Sequence, residues 1–159
     1  MDTVQLEGKL ANLRAWTPTQ CTIARALDVI GTRSAILIMR EAYYGTTRFD
    51  EIARRVGITE AVAAARLREL VEAGLLVKEP YREPGQRTRH EYRLTDMGRD
   101  LLPALTALMQ WGDAYLADGK PPLALTHAGC GAPVHAEVRC AEGHAVDLPD
   151  ILVAPRPRR

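Results

Sequence analysis

The chain has 159 residues, 47% of them apolar and 26% charged, enough apolar material for one sizeable core and a smaller remainder. With 21 Lys and Arg against 20 Asp and Glu the net charge is +1, which excludes a uniformly basic tail protein and an acidic disordered chain. No apolar run approaches the roughly 20 residues of a membrane helix. The start, Met1 to Val4, lacks the basic and apolar segments of a secretory leader, and three cysteines cannot all pair within one chain, so a reducing, cytoplasmic setting is expected.

In chain order, Leu6, Leu10, Leu13 and Trp16 recur at helical spacing and predict a helix over 4–16, opened by a capping box between Asp2 and Gln5. Thr17-Pro18-Thr19 breaks it. A second helix begins near Cys21 with Ile23, Ala26, Leu27 and Ile30 on one face; Gly31 ends it and Thr32 caps a third, carrying Ile36, Leu37, Met39 and Tyr43 as far as Gly45. Phe49 to Val56, then Gly57, then a helix opening at Thr59 is the pattern of a helix-turn-helix. Phe49, Ile52, Ala53, Val56 and Ile58 line its inside. The second helix of the pair buries Ala63, Leu67, Leu70 and Val71 and closes at Gly74, which turns Glu60, Ala61, Ala64 and Arg68 outward. Leu75–Tyr81 and His90–Leu94 read as strands around the turn-rich tip Arg82–Arg89. Thr95 then caps a long helix running to about Leu116. Its seam of Leu101, Leu105, Leu108 and Gly112, with Leu102, Met109 and Leu116 beside it, is wider than one small core needs. Lys120-Pro121-Pro122 is a linker. Three parts follow: 1–20, an N-terminal dimerisation helix and linker; 21–117, a winged helix-turn-helix ending in a long dimerisation helix; and 118–159, a small irregular or zinc-ribbon-like tail with a frayed basic end, Arg156-Pro157-Arg158-Arg159. The expected class is mainly α with a small β-wing.

On this frame the second helix enters the major groove of DNA by its N-terminal end. Thr59, Glu60, Ala61 and Ala64 then face the bases, where Glu60 can accept from a cytosine amino group and the alanines can meet thymine methyls. Arg54, Arg55, Arg66 and Arg68 are placed for phosphates. Arg82, Arg87, Thr88 and Arg89 make a basic wing tip suited to the minor groove or its flanks. The plain alternative is that these arginines are a solvated face. No Gly-x-Ser-x-Gly, no phosphate-binding Gly-rich loop with Lys and no His-Glu-x-x-His occurs, so an enzyme is not expected.

From Cys21 to about Tyr115 the chain resembles the HxlR-type winged helix-turn-helix regulators. The likeness rests on ordered fragments: Cys21-Thr22-Ile23, Ala26-Leu27, Gly31-Thr32-Arg33, Arg48-Phe49-Asp50-Glu51-Ile52, Arg66-Leu67-Arg68-Glu69-Leu70, Gly74-Leu75-Leu76, and Glu91-Tyr92-Arg93-Leu94-Thr95 with Gly98. It departs from the family at Ser34, where relatives often carry Trp, in the bland run Glu60-Ala61-Val62-Ala63-Ala64-Ala65, and in a longer wing tip. The resemblance implies a dimeric, DNA-binding transcription factor. It also implies a role for Cys21, since some members sense oxidants or electrophiles through a cysteine at the matching place. A helix N-terminus favours thiolate, and Arg25 lies one turn on. A buried structural thiol near a dimer interface is the other reading.

In the tail, His127-x2-Cys130 and Cys140-x3-His144 are two potential ligand pairs for Zn²⁺, with Gly129, Gly131 and Gly143 allowing tight turns and His135 to spare. An unmetallated hairpin and a Cys130–Cys140 disulfide remain the alternatives. Val134–Arg139 and Ala145–Leu148 are the expected arms. The functional expectation is a homodimeric, sequence-specific regulator, a repressor on a palindromic operator in double-stranded DNA. No cofactor is required for binding, and the signal is thiol modification or a small-molecule effector. The alternative function is a winged-helix protein-interaction module without specific DNA binding.

Overall fold

Local capping chemistry sets most of the helix boundaries. Thr32 accepts the Ala35 amide and starts α2 (Arg33–Tyr43), just after α1 (Thr22–Ile30) has ended at Gly31. α3 (Phe49–Val56) stops at Gly57, whose φ of +73° suits glycine and lets its N–H reach the carbonyls of Ala53 and Arg54. Two residues on, Thr59 accepts the Val62 amide and starts α4 (Glu60–Glu72). The computed structural model describes residues 3–155; Asp2 of the expected capping box and the basic end Arg156–Arg159 lie outside the described residues.

α1 to α4 pack around Ile38, Met39, Ile52, Leu67 and Leu70, all essentially inaccessible to water. The wing is an antiparallel pair, β2 (Leu76–Tyr81) and β3 (Arg89–Leu94), in register from Leu76 opposite Leu94 to Tyr81 opposite Arg89. Leu76 and Tyr92 turn into the core. The segment before α3 joins the wing as a short third rung. Arg48 bridges to Glu91, and the Tyr92 amide donates to the Thr47 carbonyl at 2.8 Å. The wing is therefore fixed to the helix-turn-helix by backbone bonds.

The long helix expected from Thr95 to Leu116 is two helices. Thr95 caps α5 (Asp96–Arg99), accepting from the Gly98 amide at 3.1 Å, and the chain restarts as α6 (Leu102–Leu116). Pro103 lies in the first turn of α6; it has no N–H to continue the ladder and is tolerated only there. α5 is held close to the wing root: a Cβ on Gly98 would overlap the Leu75 carbonyl, and the Tyr43 hydroxyl donates to the Gly98 carbonyl.

The helix expected over 4–16 does not form. Gln5–Leu6 is a strand, β1, and Gly8–Ala11 is a 3₁₀ turn. Gly8 sits at φ +60°, which interrupts any helix there. The backbone of β1 is satisfied instead by parallel pairing with β4 (Leu152–Val153), with the Gln5 amide on the Ile151 carbonyl at 2.8 Å. Periodicity could not show this, because the partner lies at the far end of the chain. The tail crosses α6 on its way: Gln110 donates to the Val134 carbonyl at 2.7 Å and accepts the Ala136 amide at 2.9 Å. Among the described residues no helix is long and apolar enough to cross a membrane.

Candidate nucleic-acid interface

The N-terminal end of α4 is open to solvent. Thr59, Glu60, Ala61 and Ala64 are all exposed, while Ala63, Leu67 and Leu70 anchor the opposite side in the core. Val62 is also exposed, at 41%, so the surface offered to a groove is larger and more apolar than the sequence pattern predicts. Val62, which that pattern assigns to neither face, joins the outward set.

The expected cations divide into free and engaged groups. Arg54 is 73% exposed and meets Glu51 only at 3.9 Å. Arg68 is similarly open, 4.0 Å from Glu72. Surface pairs at that distance hold a side chain weakly, so both remain available to phosphate. At the wing tip Arg87, Thr88 and Arg89 are exposed, and among the described residues neither arginine makes an ion pair. Arg82 donates to the Gln86 carbonyl at 3.2 Å and helps shape the tip.

Arg55 and Arg66 are placed differently from expectation. Arg66 is ion-paired to Glu69, and its Nε is buried without a partner. Arg55 turns inward to Glu41, a carboxylate buried in the core. Glu41 also accepts from Arg40 at 2.6 Å and from the Thr46 hydroxyl at 3.3 Å. Burial alone would raise the Glu41 pKa, but the hydrogen bonds from Arg55 and Arg40 outweigh it and hold the carboxyl below its ordinary value. Arg55 thus neutralises a buried charge and ties α3 to α2. No local pattern signals this, because Arg40-Glu41 looks like an ordinary solvated pair and Arg55 lies on another helix.

Arg48 was not among the expected contacts. Its guanidinium lies 5.0 Å from the centre of the Tyr81 ring and bonds Glu83 at 2.6 Å, joining the start of α3 to the wing. The Glu83 hydrogen bond raises the Arg48 pKa further, so the charge is permanent. On the same sheet Arg93 sits between Glu91 and Glu79, and its hydrogen bond holds the Glu91 carboxyl below the usual range. The net result is an open α4 tip, with Arg54 exposed on the preceding helix and Arg87 and Arg89 exposed at the wing tip.

Cys21 is the residue before α1 and is half-buried, with no side-chain cap bond. Arg25 is one turn on, its amide bonded to the Cys21 carbonyl at 3.1 Å. In the tail, His127 Nδ1 lies 3.2 Å from Cys130 Sγ, and Cys140 Sγ lies 3.5 Å from His144 Nδ1. Each pair is local. Among the described residues no three His, Cys, Asp or Glu side chains gather into one group. The expected arms pair only briefly, through Arg139 opposite Ala145 and the Val146 amide on the Val138 carbonyl at 3.0 Å.

Comparison with known proteins agrees with this architecture. The profile of the HxlR-like helix-turn-helix family matches residues 29–120. Rv3095 of Mycobacterium tuberculosis, an uncharacterized HTH-type transcriptional regulator, is 41% identical over 138 residues, covering 86% of each chain. The crystal structure of PA1607 superposes with a TM-score of 0.74 at 39% identity, covering 89% of this chain and 96% of its own. That share is too large to stop at α6, so the tail is part of the likeness. The redox regulator HypR in its reduced form is 28% identical with a TM-score of 0.54, covering 62% of this chain and 99% of its own.

Proposed function

The chain belongs to the HxlR-like helix-turn-helix family of transcriptional regulators, and from that premise we propose that it is a sequence-specific repressor binding a palindromic operator as a homodimer. The observation that carries this reading is the exposed N-terminal end of α4 together with the exposed arginines Arg54, Arg87 and Arg89. α4 reads bases with Glu60 and with the methyl surfaces of Ala61, Val62 and Ala64; the arginines set register and affinity on the phosphates.

Dimerisation is supported by exposed apolar surface on α1 and α6. Ile23 and Leu27 on α1, and Leu108, Trp111, Tyr115 and Leu116 on α6, are all at least half exposed. Large apolar groups grouped on two helices mark an interface more than a surface. A two-fold partner there presents two recognition helices, which predicts half-sites about one DNA turn apart. Cys21, at the start of α1, is well placed to signal oxidation into that interface, and HypR, a redox regulator, supports this role. A second input is a small apolar effector. The cleft of about 210 Å³ between α2 and α6, lined by Ile36, Leu37, Tyr43, Leu105 and Met109, has the chemistry for one. The regulator acts in the cytoplasm, without an obligatory cofactor.

The test is selection from a random DNA duplex pool by the purified protein, reduced and then oxidised. An enriched palindrome lost on oxidation, and kept by Cys21→Ser under the same oxidant, is the expected result. Failure to enrich any sequence in either state would sink the reading. It would leave a protein-docking winged helix, which the alanine-rich face of α4 equally fits.

A further inference from the structure

Residues 118–155 contain two hairpin turns with no hydrophobic interior. Among the described residues nothing after Thr106 is buried. The segment is anchored at its middle by Gln110 and at its end by the β1–β4 pairing. The two turns themselves, His127–Ala132 and Cys140–His144, carry only local backbone bonds. Scaffolds below about 70 residues that cannot bury a core are held by a disulfide or a metal.

Both turns have the chemistry for a metal. The first places His127 Nδ1 3.2 Å from Cys130 Sγ and the second places Cys140 Sγ 3.5 Å from His144 Nδ1. Bond lengths to tetrahedral Zn²⁺ put neighbouring sulfur and nitrogen ligands about 3.6 Å apart, so each pair is close to a half-site. Gly131 at φ +72° and Gly143 at φ +84° let each chain turn back beside its cysteine. Both thiols are free and exposed, without a packing role.

We infer that the tail binds one Zn²⁺ through Cys130, Cys140, His127 and His144, the ion drawing the two turns together into a closed structural site. Among the described residues the two pairs form no larger group, so the ion is required to bring them together. On binding, each thiol loses its proton to solvent, and two thiolates balance the charge of the ion. Four protein ligands leave no open position, so the site is structural and carries no hydrolytic chemistry. This inference does not depend on DNA binding.

The experiment uses the untagged full chain, purified reduced and passed over a sizing column after incubation with Zn²⁺ alone. One zinc per chain by elemental analysis is expected. Co²⁺ in its place should give thiolate-to-cobalt charge transfer and the intense visible bands of a tetrahedral site. Cys130→Ser and Cys140→Ser should each weaken metal binding at least tenfold, His127→Gln and His144→Gln should weaken it measurably, and Cys21→Ser should leave it unchanged. The cobalt spectrum of the unmutated chain decides the matter even if a variant misfolds. A chain that stays metal-free, a cobalt spectrum without thiolate character, retention of zinc by the double serine variant, or a Cys130–Cys140 disulfide forming in place of zinc uptake would each overturn it.

Discussion

The winged helix and the tail are built by opposite means. Residues 22–116 bury a continuous set of side chains, from Ala35 through Leu67 to Leu76 and Tyr92, and threonine caps open α2, α4 and α5. Residues 118–155 bury nothing and are fixed at a few points, Gln110 and β4 among them. The difference teaches where each part's specificity comes from. In the core, side-chain volume selects one arrangement, and it anchors the base of α4 through Leu67 and Leu70 and the wing root through Leu76 and Tyr92. In the tail, a small number of polar contacts does the same work, and replacing any one of them is felt locally.

The largest effect that tests this contrast is a core truncation. Leu67→Ala removes a fully buried side chain and should cost about 2–5 kcal/mol in urea unfolding followed by helical circular dichroism. Val138→Ala, exposed in the tail, should stay within about 0.5 kcal/mol on the same readout. Equal losses would erase the distinction.

Next in size is Glu41→Gln, which removes the charge that Arg40 and Arg55 neutralise and should cost about 1–3 kcal/mol. Glu41 has a folded pKa below its ordinary value of 4.5. Its contribution is therefore complete above that value and is lost as pH falls through the lower folded one. The unmutated chain should lose stability over that acid window, and the glutamine variant should lack that component when melting is followed against pH.

A third effect belongs to the wing. Replacing both Arg87 and Arg89 with alanine should leave the melting curve unchanged and lower the slope of log affinity against log salt by about 2. Unchanged salt dependence would remove the wing from the interface. The smallest effect is Gln110→Ala. It should speed hydrogen exchange at the Ala136 amide, which loses its acceptor, while the core melt stays the same.

Much of the winged helix was legible in the sequence because its signals are local. Gly57 between two apolar runs, Thr59 and Thr95 as caps, and the paired strands around Gly85 each act within a few residues. The misreadings have two causes, a partner distant in the chain and a break that periodicity overlooks. Leu6, Leu10, Leu13 and Trp16 keep helical spacing, yet Gly8 and the strand at Leu152 decide the conformation. Pro103 divides the helix after Thr95 although the leucine seam runs through it. At the site, the exposure of Glu60, Ala61 and Ala64 followed from the buried stripe of α4. The fate of each arginine did not, since it depends on which carboxylate lies opposite in space. Arg54 and Arg55 are neighbours in sequence and differ because only one of them faces Glu41.

That pair offers the most direct test of the account. Fluorescence anisotropy with the selected operator, measured over a salt series, should show Arg54→Ala losing affinity with a slope reduced by about 1. Arg55→Ala should keep the slope of the unmutated protein and lose stability in the urea melt instead. A reduced slope for Arg55→Ala with none for Arg54→Ala would contradict the placement of the DNA interface proposed for this fold.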